Sequence, residues 1–135
     1  MNMQTAHDRF SFIRHHLPAM LYGAIIVIVS SLPQVDAPEL PFVGMDKLLH
    51  FVEYAIFAFL VYRSFSNIEK LKSGAMSALI SILFLIAFAW GDEYHQKFVA
   101  GRSSDVFDTI ADIIGALCVI ALLSLRSRRQ SKTEP

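Results

Sequence analysis

The length of its uncharged apolar runs constrains this chain more than any other feature. Leu17 to Val35 and Ser73 to Gly91 contain no Asp, Glu, Lys or Arg. Each approaches the roughly 20 residues needed to cross a bilayer as a helix. Two further segments are apolar but interrupted. LLHFVEYAIFAFLVY (Leu48 to Tyr62) carries His50 and Glu53, and VFDTIADIIGALCVIALLSL (Val106 to Leu125) carries Asp108 and Asp112. In the first of these, nine Leu, Ile, Val and Phe residues favour insertion by roughly −3 to −5 kcal/mol, against about +2.5 to +3.5 for one central carboxylate. Glu53 is off-centre and costs less. Both aspartates of the last segment lie near its start, so the balance there is similar.

Composition agrees. Hydrophobic residues make up 54% of the chain, charged residues 18%, and the mean hydropathy is +0.46, which excludes an ordinary soluble domain of this length. A formal net charge of zero provides no electrostatic footprint for nucleic acid. The single cysteine, Cys118, excludes an internal disulfide framework, and its apolar surroundings predict a small buried hydrophobe. The predicted fold is all-α: a four-transmembrane-helix bundle over 17–125. It lies between an N-terminal segment 1–16 and a basic, disordered tail 126–135. No clean cleavage site follows the first apolar run, so it reads as an uncleaved anchor rather than a signal peptide.

Basic residues set the orientation. Arg9, Arg14, Arg63, Lys70, Lys72, Arg126, Arg128, Arg129 and Lys132 fall on one side of such a bundle. Lys47, Lys97 and Arg102 fall on the other. The first side is predicted to be the cytoplasm, with both termini in it. The protein is thus expected to be multi-pass. Trp90 and Tyr94 suit an outer aromatic belt and Tyr62 an inner one. The proline-rich connection Pro33 to Gly44 is expected to be extended and ordered on the outer surface.

That orientation gathers acids on the outer side: Asp36, Glu39, Asp46, Glu53, Asp92, Glu93, Asp105, Asp108 and Asp112. Asp46, His50 and Glu53 are spaced i, i+4, i+7 and share one helix face. Asp105, Asp108 and Asp112 share another, on a helix predicted to start near Ser103 or Ser104. Glu93 pairs with Gln96, and Asp92 with His95, at i, i+3. Gly115, with Ala111 and Ala116, would let a neighbouring helix approach closely. N-capping or dipole contacts account for part of Asp46 and Asp105. They do not account for Glu53 and Asp112, which lie too deep, or for Asp92 and Glu93, at a helix C-terminus. Arg102 is a candidate ion-pair partner for the latter two. Ionisable groups inside a membrane protein face its interior or a water-filled cavity.

Two blocks carry a resemblance. DKLLHFVEY (Asp46 to Tyr54) resembles the D-K-x-x-H-F-x-x-Y signature of VanZ-like membrane proteins. Asp92 to Ala116 resembles their second block, D-E-x-x-Q-x-F-x-x-G-R followed by D-x-x-A-N-x-x-G. Asp46, Lys47, His50, Phe51, Tyr54, Asp92, Glu93, Gln96, Phe98, Gly101, Arg102, Asp108, Ala111 and Gly115 match. Asp112 stands where the pattern has Asn. The resemblance implies a small integral protein of a bacterial cytoplasmic (inner) membrane, of poorly defined activity. The family's name comes from one branch linked to resistance to the glycopeptide teicoplanin.

Three functions fit these residues. The first is an enzyme acting at the outer leaflet on a lipid-linked envelope substrate. Its acid–base group would be His50, with Glu53 or Glu93 orienting it or sharing its proton. The second is a non-catalytic binder of an envelope lipid, precursor or glycopeptide. Its contacts would come from Asp46, Lys47, Tyr54, Asp92, Gln96, Arg102, Asp108 and Asp112. The third is a structural or accessory protein whose polar groups satisfy one another. No metal-ligand spacing is diagnostic and no cofactor is predicted, although Asp108, Asp112 and Glu93 are of a type that suits a divalent cation. Oligomeric state is left open.

Overall fold

The computed structural model of the chain describes residues 10–33, 44–71, 73–102 and 104–133, without the side chains of 128–133. The connection carrying Asp36 and Glu39, and Ser103 as a cap, lie outside the described residues. Four α-helices follow in order: α1 (Leu17–Ser30), α2 (Met45–Ser66), α3 (Gly74–Gln96) and α4 (Val106–Thr133). A 3-10 turn, Glu69–Leu71, joins α2 to α3, and residues 10–15 form a helical lead-in to α1. There is no strand among the described residues.

Local chemistry sets the helix ends. Pro18 lies in the first turn of α1 and cannot bond back to the carbonyl of Arg14, because it has no N–H. Arg63 of α2 takes up that carbonyl instead, its Nη2 donating at 3.1 Å. α2 starts behind Gly44, whose φ of +87° is a left-handed conformation that only glycine adopts cheaply. The cap of α2 is therefore Gly44, and Asp46 sits one position inside the first turn rather than at the cap. α4 starts at Val106, later than the serines suggest. Asp105 caps it by accepting the Phe107 N–H at 2.9 Å. The tail does not fray at Leu125, since α4 continues to Thr133. Arg, Gln and Lys are good helix formers, and cations suit a helix C-terminus.

α2 is the central helix. It packs most extensively on α4, α3 packs against both, and α1 lies across α2 and α3. Tyr54, Phe57, Ala58 and Val61 of α2 are buried against Leu85 and Ala89 of α3 and Ala116 and Ile120 of α4. Phe57 also stacks edge-on to Phe88, centroids 4.9 Å apart. Both ends of α1 are tied down. His16 Nδ1 meets Ser64 Oγ at 2.7 Å, and Ser30 Oγ donates to Asp92 at 2.5 Å.

Burial runs opposite to that of a soluble bundle. Ser77, Ser81, Thr109, Asp112, Glu93 and Gln96 are buried, while Leu21, Ile28, Leu49, Leu79, Leu83, Ile114 and Leu122 are exposed. An apolar exterior around polar interior groups is the arrangement a bilayer requires. α2, α3 and the 106–127 portion of α4 are each long and apolar enough to cross a membrane, whereas α1 is shorter. Cys118 is on the exposed face, not in the core as expected, because α4 turns that side outward. Tyr62, expected at an interface, is buried. Trp90 and Tyr94 are exposed.

Candidate functional site

The N-termini of α2 and α4 and the C-terminus of α3 meet at one end of the bundle. Gly115 makes this meeting close. A Cβ built there would overlap the carbonyl oxygen of Phe51 and lie 3.2 Å from its Cα. The small residues flagged in the sequence thus mark where the α2 backbone presses on α4. One turn above Gly115 lies Asp112, and one position before Phe51 lies His50.

That contact brings together residues 62 positions apart: His50 Nδ1 lies 3.0 Å from Asp112 Oδ1. His50 Nε2 lies 3.8 Å from Asp108 Oδ2. Asp112 and Asp108 are buried, and His50 is half-buried. The carboxylate that orients the imidazole is therefore Asp112, where Glu53 or Glu93 had been the expected partners.

Outward of this pair, Lys47 gathers three carboxylates. Its Nζ donates to Asp46 at 2.8 Å, to Asp105 at 2.6 Å and to Asp108 at 2.6 Å. Asp108 thus borders both Lys47 and His50 and links the two groups. The Lys47 ammonium, with the Phe107 N–H, holds the Asp105 carboxyl below the usual carboxylate range.

A second network closes the α1–α3 side. Asp92 accepts from Ser30 Oγ and, at 2.9 Å, from Gln96 Nε2. Gln96 Oε1 accepts from Arg102 Nη1 at 3.3 Å. Arg102 also donates to the carbonyls of Val29 at 2.8 Å and Leu32 at 3.4 Å. These carbonyls lie at and just past the C-terminal end of α1, where a cation suits the helix dipole. The expected Arg102 ion pair with Asp92 or Glu93 is not among the described contacts. His95, which shares a helix face with Asp92, instead meets Ser31 Oγ through Nε2 at 2.9 Å.

Between the two networks lie Glu53, Tyr54 and Glu93. Tyr54 and Glu93 are buried, with Tyr54 only 1% exposed, and Glu53 is half-buried. Among the described residues, the Tyr54 hydroxyl and Glu93 Oε1 have no hydrogen-bond partner, and neither does Thr109 Oγ1. The Tyr54 phenol is within electrostatic reach of Asp112, Asp92, Glu53 and Glu93. Glu53 is likewise within reach of His50, Asp112, Asp92 and Arg102. No group of three or more His, Cys, Asp or Glu side chains among the described residues is arranged to hold a metal ion. All eleven residues singled out in the sequence therefore lie at one end of the bundle. Asp105, Ser30 and Thr109 join them. Asp105 was readable as a cap, but Ser30 and Thr109 carried no signal because hydroxyls are common in membrane helices.

Comparison with known proteins supports the resemblance of the two blocks. The family model described as VanZ/LLP1 matches residues 2–127. An uncharacterised protein of Schizosaccharomyces pombe is 28% identical over 99 residues, which is 73% of this chain and 57% of that protein. The chain therefore spans little more than half the length of that relative. No solved structure matches the chain. With an all-helical fold, three membrane-length apolar helices and a family match over nearly its whole length, the chain is a multi-pass membrane protein that belongs to the VanZ/LLP1 family.

Proposed function

We propose that this protein binds the head group of a lipid-linked or glycopeptide-like cell-envelope ligand, in a polar recess at the outer leaflet of a bacterial cytoplasmic membrane. The observation that carries this reading is the pair of orphaned polar atoms. Tyr54 Oη and Glu93 Oε1 are buried, without hydrogen-bond partners among the described residues, beside the His50–Asp112 pair. Buried polar groups are almost always hydrogen-bonded, and an orphan beside a charged cluster is accounted for by a ligand that completes it. His50 and Glu53, both half-buried, form the accessible rim.

A four-span arrangement with both termini cytoplasmic fits this reading. The distribution of Lys and Arg supports it. So does α1, which, though short, is bonded to the bundle at both of its ends. Catalysis is the second reading, favoured by the 3.0 Å His50–Asp112 contact, which would hold the imidazole oriented for proton transfer.

The test is mass spectrometry of lipids that co-purify with the detergent-solubilised protein. One lipid class should be enriched on the wild type and lost on folded His50→Ala and Glu93→Gln. The same lipid profile on all three proteins would sink the proposal.

A further inference from the structure

The charge class of the ligand follows from which groups in the recess are already engaged, an argument that rests on the ligand-binding reading above. Both nearby cations are occupied. Lys47 Nζ contacts three carboxylates, and Arg102 is spread over the Val29 and Leu32 carbonyls and the Gln96 amide oxygen. A phosphate carries only acceptors, and of the donors on these two residues only the two remaining N–H groups of the five on Arg102 are left to it, on the α1 side of the site. The acceptors, by contrast, are in surplus. Asp112 has His50, and Asp92 has Ser30 and Gln96. Among the described residues Glu93 Oε1 has no partner although the residue is only 5% exposed, and neither does the Tyr54 hydroxyl. Glu53, at the half-exposed rim, makes no hydrogen bond among the described residues.

We infer that the recess takes a ligand bearing a primary ammonium group, held by Glu93 and the Tyr54 hydroxyl with Glu53 at the rim. An ammonium offers three donors and no acceptor, which matches three acceptors left open. Its positive charge also offsets the carboxylate excess. An anionic head group does neither, and a hydroxylated one supplies donors without the charge.

The experiment measures binding to the full chain in detergent by native mass spectrometry. The lipid probes are phosphatidylethanolamine, N-acetylated phosphatidylethanolamine and phosphatidylglycerol, with free ethanolamine and N-acetylethanolamine as the soluble pair. Phosphatidylethanolamine should bind at least about tenfold more tightly than its N-acetylated form. Glu93→Gln should abolish that preference. If only free ethanolamine shows the preference over its acetylated form, the ammonium class stands and the source is soluble. The acetylation contrast is read on the wild-type protein, so it holds even if Glu93→Gln misfolds. Equal binding of phosphatidylethanolamine, its acetylated form and phosphatidylglycerol would overturn the ammonium inference while leaving ligand binding intact. If no probe binds and no lipid co-purifies, both readings fall.

Discussion

Gly115 of α4 sits directly against the backbone carbonyl of Phe51 in α2, closer than any side chain would allow. The same approach sets the neighbouring His50–Asp112 contact. Gly115→Ala must therefore push α2 and α4 apart or tilt them, at about 1–3 kcal/mol for overpacking. Gly91 is the control, because it lies on the exposed side of α3 with nothing within 4 Å of a new Cβ. Gly91→Ala should be neutral or slightly stabilising, since glycine is a poor helix residue. Thermal unfolding of the two variants in detergent checks both. Equal stability would mean that the close approach is not needed.

Much of this arrangement was legible in the sequence. Helical periodicity put Asp46, His50 and Glu53 on one face and Asp105, Asp108 and Asp112 on another. Alternating helix direction brought those faces to the same end. Partner choice was not legible, because it depends on depth and rotation that spacing does not encode. Arg102 is the clearest case. In the same inter-helix stretch as Asp92 and Glu93, it looked like a counter-ion for one of them, yet the α3–α4 loop carries it to the Val29 and Leu32 carbonyls at the end of α1, where a cation suits the helix C-terminus. Cys118 and Tyr62 exchanged their expected environments for the same reason. The hydrophobic runs specify that a helix forms, but not which side of it faces lipid.

Asp112 supplies the oxygen that His50 contacts, at a position where the related pattern has Asn. Asparagine keeps an acceptor for the imidazole and drops only the charge. Asp112→Asn should therefore fold with near wild-type stability, whereas Asp112→Leu leaves the half-buried His50 nitrogen unpaired and should lose about 1–3 kcal/mol. A double-mutant cycle with His50→Leu measures the coupling. The Asp112→Leu penalty should largely vanish in that background. An undiminished penalty would show that Asp112 acts through another group.

Asp105 couples the α4 cap to Lys47, and its carboxyl lies below the usual carboxylate range because Lys47 and the Phe107 N–H both donate to it. A downward shift means that the ionised form is the one bound in the fold. Its contribution is fully present above the ordinary carboxylate pKa of about 4 and is lost as the pH falls through the lower folded value. Asp105→Asn should therefore be less stable than the wild type at pH 6, with the gap closing toward pH 3. Unfolding temperatures across that range test it. A gap independent of pH would show that the charge of Asp105 is not its cause, and no gap at all would show that capping, which Asn also provides, is its whole contribution.

Orientation is the premise that places the site at the outer leaflet. The α3–α4 loop lies at the polar end of the bundle, and Ala100 within it is exposed. The native Cys118 is exposed too, but on the apolar flank of α4, where a charged thiol reagent inside a bilayer cannot follow. Ala100→Cys in a Cys118→Ser background should therefore react with a membrane-impermeant maleimide in intact cells, or in spheroplasts if an outer membrane blocks access. A cysteine at Asn67, exposed at the opposite end beyond α2, should react only after lysis. The reverse pattern would put the His50–Asp112 cluster on the cytoplasmic face. Its ligand would then have to come from that side, and the distribution of Lys and Arg would no longer describe how this bundle inserts.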